Sequence, residues 1–405
     1  MECGLLGERL GHSYSPQIHA QLGGYSYHLF EKKPEELKAF LRHGTFTGLN
    51  VTIPYKKAVI PYCQELSPRA EKLGAVNTLL RREDGSLVGH NTDFFGFSYM
   101  VQKSGVPVAG KKCLILGSGG ASATVTAVLK ELGAEAVVIS RTGENNYSNL
   151  DRHSDAAVIV NTTPVGMYPN TGRSPVPLSK FPRLEAVLDV VYNPARTQLL
   201  LDAEELGIPC MNGLWMLVAQ AKESAEWFTG KPVPNSEIDR VYHLLRREME
   251  NWVLIGMPGS GKSTVGRQLA AQLGKPFVDV DDEIAQQAGM SIPDIFTDQG
   301  EAGFRQWESR VLEQLGKESG LVIATGGGCV TRKENYPLLH QNGRIFWLIR
   351  DLSKLPIEGR PLSQAGSLSE MAARRFPMYQ SFADCTVSNN GALEETIQQI
   401  MEAIL

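Results

Sequence analysis

The chain has 405 residues, room for two or three domains with separate cores, and at 42% hydrophobic and 21% charged it has the composition of a water-soluble globular protein. A net charge of −4 argues against a general binder of nucleic acid or of an anionic membrane surface, which would be basic. No signal peptide and no membrane-spanning apolar run is expected. The scattered Cys3, Cys63, Cys113, Cys210, Cys329 and Cys385, without a C-x-x-C pair, read as free thiols of a cytoplasmic protein rather than a zinc site or disulfide framework.

Residues 3–7 read as a short strand, followed by a turn in which Pro16 suits the first helical position and Ser15 the N-cap. Ser13 and Ser15 on their own read as caps or as ligands. A helix is expected over 35–43 and a buried strand over 48–53, with Pro54 opening another helix. Lys56 would then lie at the carboxyl end of a strand, where α/β folds place ligands. Beside Lys57, however, it reads first as a solvated surface charge. Residues 74–80 and 87–93 form a hairpin around Asp84-Gly85, leaving Asn77 and Asp93 either in a common cleft or in turns.

A strand over 111–116, the turn Gly117-Ser118-Gly119-Gly120-Ala121-Ser122, a helix over 123–132 and a strand over 136–139 compose a βαβ unit. It is close to the dinucleotide fingerprint, with Ser122 where glycine or alanine is usual. The second strand ends in Ser140-Arg141-Thr142. A guanidinium where an acid would hold NAD suits a 2′-phosphate and so NADP, although Glu144 is near and no second basic residue follows. Strands over 156–161 and 186–192 continue a parallel sheet, with the loop 162–167 at the nicotinamide end. A helix covers 197–206 and a longer one runs from 212 to about 228. Gln220 in that apolar helix needs a partner, and a satisfied core amide is the plain reading.

Residues 231–235 mark a boundary and 236–250 a charged, stiff helical linker, which implies close-set domains with limited relative motion. A short apolar run then meets Gly256-Met257-Pro258-Gly259-Ser260-Gly261-Lys262-Ser263, which fits G-x-x-x-x-G-K-S/T at every fixed position and leads into a helix over 264–273. Such a loop turns its backbone N–H groups and a helix N-terminus toward a phosphate chain. Lys262 would reach the β- and γ-phosphates and Ser263 would ligate Mg²⁺. Residues 277–281 read as a strand carrying Asp279 and Asp281 on one face, one for the Mg²⁺ shell and one for a substrate hydroxyl; otherwise they cap the next helix. Arg305, in a helix beginning at 303, is a surface ion-pair residue or an anion hook. A strand over 322–325 meets Gly326-Gly327-Gly328, a place for close backbone approach. Arg360 follows an irregular stretch suited to a lid, and Arg374-Arg375 stand where a helix ends.

The first-half motifs together resemble shikimate dehydrogenase over essentially all of residues 1–235. They are His12-Ser13-Tyr14-Ser15-Pro16, residues 50–56, residues 74–78, Asn91-Thr92-Asp93, residues 117–122, Ser140-Arg141-Thr142 and residues 216–220. The resemblance implies NADPH-dependent reduction of 3-dehydroshikimate. Ser13 and Ser15 would hold the substrate carboxylate, and Thr52, Asn77, Asp93, Tyr192 and Gln220 the rest of the substrate. Lys56 and Asp93 would form the catalytic pair. Gly117, Ser118, Gly119, Gly120, Ala121, Ser140, Arg141, Thr142, Thr162 and Gly213 would hold NADP(H). The family more often has Asn for Ser140 and a further arginine after Thr142, so cofactor preference is the open point.

Residues 251–405 resemble shikimate kinase on the phosphate loop, residues 279–281, 303–305, 326–328, 359–362 and 375–379. The resemblance implies phosphorylation of the shikimate 3-hydroxyl. ATP would lie on Gly259, Ser260, Gly261, Lys262, Ser263 and Thr264, with Mg²⁺ at Ser263 and Asp279 and Asp281 as base. Arg305 and Arg375 would clamp the carboxylate, Gly327 and Gly328 line the ring, and Lys262 and Arg360 stabilise the transferring phosphoryl group. The stretch 350–360 is short for the family and lacks its adenine-stacking arginine, for which Lys354 is the candidate substitute.

The fold class expected is therefore α/β. A two-domain dehydrogenase over 1–235 has a substrate part of about 1–100 plus 213–235 and a Rossmann-type NADP part of about 101–212. A helical linker over 236–250 and a P-loop kinase domain with a parallel sheet over 251–405 follow it. The function expected is two consecutive steps of aromatic amino-acid biosynthesis. An ATP-sensing regulatory second half, a quinate-using dehydrogenase and one degenerate half are the rivals. The partners expected are the small-molecule substrates 3-dehydroshikimate and shikimate, with homo-oligomerisation left open.

Overall fold

Apolar runs bounded by glycine, proline or charge become the strands of three sheets. The computed structural model describes residues 1–11, 13–355 and 368–403. The chain divides into two units, the first of Met1–Met167, Arg173–Tyr192 and Leu199–Leu245, the second of Tyr168–Gly172, Asn193–Gln198 and Arg246–Leu405.

The first unit holds two sheets. One contains β1 (Glu2–Gly7), β2 (Ser26–Glu31), β3 (Gly48–Val51), β4 (Glu65–Leu66), β5 (Thr78–Arg81) and β6 (Leu87–His90) in the order β2-β1-β3-β5-β6-β4. The hairpin signal at Asp84-Gly85 becomes the antiparallel β5–β6 pair, in which Leu79 faces Gly89. The other sheet is wholly parallel: β7 (Lys112–Leu116), β8 (Glu135–Ile139), β9 (Val158–Asn161), β10 (Ala186–Asp189) and β11 (Cys210–Met211), ordered β11-β10-β9-β7-β8. Parallel strands covered on both faces read as continuous apolar runs, and Val158, Ile159 and Val160 are all fully buried. Helices Asp93–Ser104 and Leu214–Thr229 cross closely, because Gly96 leaves no side chain where the Met216 carbonyl and Gln220 pass. Each large apolar side chain buried between them, Phe97 and Met100 among them, is worth roughly 1.5–3 kcal/mol.

The second unit contains β12 (Asn251–Ile255), β13 (Phe277–Asp279), β14 (Val322–Ala324), β15 (Gly343–Ile349) and β16 (Cys385–Ser388), all parallel, in the order β13-β14-β12-β15-β16. The phosphate loop follows β12, Asp281 lies just past β13, the glycine triplet follows β14, and Arg350 and Asn389 follow β15 and β16. Open α/β sheets bind ligands at this carboxyl edge.

Several local expectations change. Helix Ser15–Leu22 has Tyr14 at its N-cap position, and Ser15 is its first helical residue, with its N–H donating to Ser13 Oγ at 3.2 Å. Pro54 opens no α-helix. Residues 53–59 form successive turns held by Tyr55 N–H to Thr52 O and Val59 N–H to Tyr55 O, with the Tyr55 ring buried beneath them. The strand expected to reach residue 281 stops at Asp279, whose carboxylate accepts from Asp281 N–H at 3.1 Å and caps helix Val280–Ala288. The two acids therefore stand as cap and first turn, not on one strand face. Helix Leu368–Phe382 runs past the residues expected to end it, through Pro377. Helix Ser236–Met249, read as a linker, buries Ile238, Val241 and Leu245 and stacks Tyr242 on Trp215 at 3.6 Å, so over most of its length it is packed into the first unit. Arg360 and the lid around it lie outside the described residues, as does His12. Among the described residues no helix is long and apolar enough to cross a membrane.

Candidate active sites

In the first unit the turn after β3 brings Lys56 to the start of helix Asp93–Ser104, where its Nζ donates to Asp93 Oδ2 at 2.6 Å. The lysine side chain is 20% exposed and the aspartate 9%, so the pair is held together with one side open. Beneath Asp93, Thr92 N–H donates to Asn77 Oδ1 at 2.7 Å and Asn77 Nδ2 to Thr92 Oγ1 at 3.0 Å, closing the loop on the hairpin. Gln220 is a satisfied amide at this floor: its Nε2 donates to Leu217 O at 2.9 Å and its Oε1 accepts from Thr92 Oγ1 at 3.5 Å. Thr52 donates its backbone N–H to Leu6 O at 2.9 Å. The Ser13–Ser15 turn meets the post-β10 loop through Tyr14, whose ring lies edge-on to Tyr192 at 6.2 Å. Burial raises the Tyr192 phenol to about 12.

The dinucleotide turn faces this pair. Gly117, at φ 101°, takes a backbone that side chains rarely adopt, and a Cβ there would press on Thr163. Gly119 caps helix Gly120–Glu131, and a Cβ on Gly120 would stand 3.8 Å from Lys56 Cδ, so the cofactor turn and the lysine share one cleft. Ser122 is buried, which shows the small hydroxyl accommodated in the third glycine's place. Thr162 Oγ1 donates to Leu116 O at 2.6 Å. Asn161 bonds Asp189 at 3.0 Å and accepts from Thr163, pinning the loop that follows β9. Gly213 packs flat on the Val190 carbonyl, where no side chain fits. At the far end Ser140 Oγ donates to Thr142 O within its own turn, and Arg141 is exposed beside Tyr147.

In the second unit Gly256, Gly259 and Gly261 adopt φ of 146°, 83° and 95°, shaping a loop that other residues would strain. Lys262 is buried and donates to the Gly256 and Met257 carbonyls at 3.0 and 3.1 Å, folded over that loop. Ser263 Oγ donates to Asp279 Oδ2 at 2.5 Å. One hydroxyl and one carboxylate are the small protein share that Mg²⁺ takes when phosphates and water complete its octahedron, so these residues fit that ion. Thr264 continues the helix.

The glycine triplet explains itself residue by residue. A Cβ on Gly326 would lie 2.6 Å from Glu308 Oε1 and 3.1 Å from Asp281 Oδ1. One on Gly327 would lie 2.7 Å from Pro258, and one on Gly328 would run into the Arg305 guanidinium. Acids, phosphate loop and arginine thus converge on the triplet from different sides. Arg375 Nη1 donates to Gly327 O at 3.1 Å, and the Tyr379 hydroxyl donates to the same carbonyl. Arg305 Nη1 donates to Glu308 Oε2 at 2.7 Å, with Glu308 fully buried. Burial, against the pull of Arg305, pushes Glu308 up to about 7; burial and Asp279 raise Asp281. Asp281 Oδ1, Glu308 Oε1, Arg305 Nε and Arg375 Nε are buried without a hydrogen-bond partner among the described residues. Buried polar atoms are normally satisfied, so this cluster has the capacity to receive a polar ligand.

The family model described as "Shikimate dehydrogenase substrate binding domain" matches residues 5–79, and that described as "Shikimate kinase" matches residues 258–405. A Clostridium perfringens protein called shikimate dehydrogenase (NADP(+)) is 34% identical over 265 residues, 60% of this chain and 97% of that one. The crystal structure of shikimate dehydrogenase 1 from Peptoclostridium difficile superposes with a TM-score of 0.57 at 38% identity, covering 60% of this chain and 97% of that one. That of the Thermus thermophilus enzyme in complex with NADP(H) and shikimate gives 0.55 at 32%, covering 60% and 99%. The chain belongs to the shikimate dehydrogenase family. A shikimate kinase domain follows in the same polypeptide, which makes the molecule a bifunctional enzyme of the shikimate pathway.

Sequence reasoning missed the supports of both centres. In the dehydrogenase unit Asn50 Nδ2 donates to Ser224 Oγ at 2.7 Å and Asn50 Oδ1 accepts from the Tyr27 hydroxyl at 2.8 Å, and Ser224 also meets Thr78 and Thr92 at 3.1 and 3.0 Å. These partners lie on separate elements, and nothing local marks them. In the kinase domain Glu308 carries a signal, its i,i+3 spacing from Arg305 on one helix. Asn389, which donates to Ser260 O at 2.6 Å, carries none.

Proposed function

We propose that the first unit reduces 3-dehydroshikimate to shikimate with NADPH and that the second phosphorylates the shikimate 3-hydroxyl with ATP and Mg²⁺. The observation that carries this reading is the pairing, in each unit, of a nucleotide turn with a proton-handling side chain: Lys56–Asp93 facing Gly120, and Asp281 between the phosphate loop and the glycine triplet. The relatives named NADP(+)-dependent, together with Arg141, support NADP over NAD. The free cysteines suit a cytoplasmic enzyme.

In the dehydrogenase, NADPH supplies a hydride to the substrate carbonyl carbon. Lys56 polarises the carbonyl oxygen and donates the proton that the resulting alkoxide needs, while Asp93 orients the ammonium. Asn77 and Gln220, fixed through Thr92, set the hydroxyl-binding floor, and Ser13 and Ser15 take the carboxylate. Thr52 and Tyr192 complete the substrate wall.

In the kinase, Mg·ATP supplies the phosphoryl group. Asp281 accepts the hydroxyl proton with its Oδ1, which has no partner among the described residues, and Arg305 and Arg375 hold the substrate carboxylate beside Gly327 and Gly328. Lys262, which donates to the loop carbonyls, would hold the phosphates. Ser263 and Asp279 would hold the metal.

Purified chain given 3-dehydroshikimate, NADPH and Mg·ATP is expected to consume NADPH and release ADP. Lys56→Ala removes both signals, and added shikimate restores ADP release alone. Absence of ADP release even with added shikimate would overturn the kinase half of the reading.

A further inference from the structure

The phosphate loop has two flanks. On one, Pro258 touches Gly327, so the glycine triplet, Asp281 and Arg305 stand on the acceptor side. The other flank is Gly261, and what faces it belongs to two loops that the proposed roles leave unused. A Cβ on Gly261 would lie 2.5 Å from Asn389 Nδ2 and 3.8 Å from Arg350 Nη1. Both residues come straight off the carboxyl ends of β15 and β16, where a parallel sheet presents its ligand groups.

These two loops are built as one rim. Asn389 N–H donates to Ile349 O at 2.7 Å, Asn389 Nδ2 to Ser260 O at 2.6 Å, and Thr396 Oγ1 to Asn389 Oδ1 at 2.8 Å. Asp351 N–H donates to Asn390 Oδ1 at 2.8 Å, and Asn390 Nδ2 returns a bond to Asp351 Oδ1 at 3.1 Å. Lys354, the cation the sequence offers as the nucleotide's partner, is turned into this rim: its Nζ donates to Asn390 O at 3.1 Å and lies 3.7 Å from Asp351 Oδ2. Arg350 is different. Its Nε is buried, and among the described residues nothing accepts from it.

Resting on the kinase reading above, we propose that Arg350 is a nucleotide-binding residue. Its guanidinium takes a phosphate oxygen of ATP or ADP at the Gly261 flank, across the loop from the acceptor. Lys354 serves as the clip that holds the Arg350 loop against Asn390. A planar guanidinium with a fork of donors suits a phosphate better than any other side chain, and the flank opposite the acceptor is where the outgoing diphosphate must be gripped.

The test is equilibrium titration of the full chain with a fluorescent ADP, with competition by unlabelled ADP and by inorganic tripolyphosphate. Wild type is compared with Arg350→Ala, Arg350→Gln and Arg350→Lys. Loss of one charge-assisted contact predicts that Arg350→Ala weakens both ADP and tripolyphosphate by about 10- to 100-fold, with KM for shikimate unchanged. Arg350→Lys recovers part of the loss and Arg350→Gln does not, which separates charge from packing if the alanine variant unfolds. Unchanged ADP affinity in Arg350→Ala overturns the proposal. So does a loss confined to ADP with tripolyphosphate unaffected, which would place the guanidinium on the base. Failure of wild type itself to bind ADP would instead overturn the kinase reading.

Discussion

Asp281 keeps one carboxylate oxygen without a partner among the described residues, while burial and the neighbouring Asp279 strengthen its hold on a proton, the condition a general base needs near neutral pH. Replacing it by Asn keeps shape and removes basicity. Asp281→Asn should therefore lower kcat for ADP release by ~10²–10⁴ and leave NADPH oxidation untouched, as read in a two-signal assay. A second carboxyl tests electrostatics away from the chemistry. Glu223, on the helix Leu214–Thr229, is pushed from 4.5 up to about 7 by burial, and its Oε2 has no partner among the described residues, although Arg69 approaches its other oxygen at 3.4 Å. A carboxyl whose folded value is raised favours the fold while protonated. That contribution is complete below about 4.5 and is lost as pH climbs through about 7. Glu223→Gln, which cannot ionise, should melt at the wild-type temperature near pH 4 and a few degrees higher, ~2–4 °C per kcal/mol recovered, near pH 8. A variant that melts lower at pH 8 would show that the half-exposed Arg69 pairing outweighs burial.

Between elements, one close approach in the dehydrogenase unit is the helix crossing at Gly96, where a Cβ would stand 2.7 Å from the Met216 carbonyl and 2.9 Å from Gln220 Cβ. Backbone cannot yield as a flexible side chain can. Gly96→Ala should cost roughly 1–3 kcal/mol of stability through overpacking. Because Gln220 rides on the displaced helix, it should also raise KM for 3-dehydroshikimate more than it lowers kcat. Thermal melts and steady-state kinetics on one preparation check both. The same elements show what a sequence discloses. The strands and the long helices were legible because apolar period and glycine boundaries are local signals, and so were the two nucleotide turns, whose glycines do their work within a few residues. Boundaries set by one hydrogen bond were not. Residues 277–281 alternate like a strand to the end, yet the Asp279 carboxylate captures Asp281 N–H and starts a helix two residues early. The supports of the sites were hidden for a further reason. Asn50 and Ser224 are 174 residues apart, and Asn389 and Ser260 are 129 apart, so each reads alone as an ordinary polar residue.

At the scale of the whole molecule, the two proposed reactions share one metabolite and differ in how they handle charge. By the proposed reduction the dehydrogenase unit would develop a single alkoxide, and Lys56, 2.6 Å from its carboxylate partner, would neutralise it alone. The kinase unit must manage a polyphosphate and a phosphoryl group whose charge is spread over several oxygens. The cations its described residues bring to the phosphate loop are Lys262 and, by the inference above, Arg350, while Asp279 and Asp281 add negative charge to the same centre. On the proposed reading, a divalent ion at Ser263 and Asp279 is then a requirement and not an accessory. Chelation of Mg²⁺ by EDTA in the complete mixture should depress ADP release on the order of 100-fold or more while NADPH oxidation continues. Shikimate should accumulate in proportion to the NADPH consumed. Excess MgCl₂ should restore ADP release and drain that shikimate. If EDTA stops NADPH oxidation as well, the charge argument fails for the first unit, and Lys56 is not sufficient for the step assigned to it. If ADP release survives EDTA, the Ser263–Asp279 pair is not the metal site and its 2.5 Å hydrogen bond is only a helix-start contact.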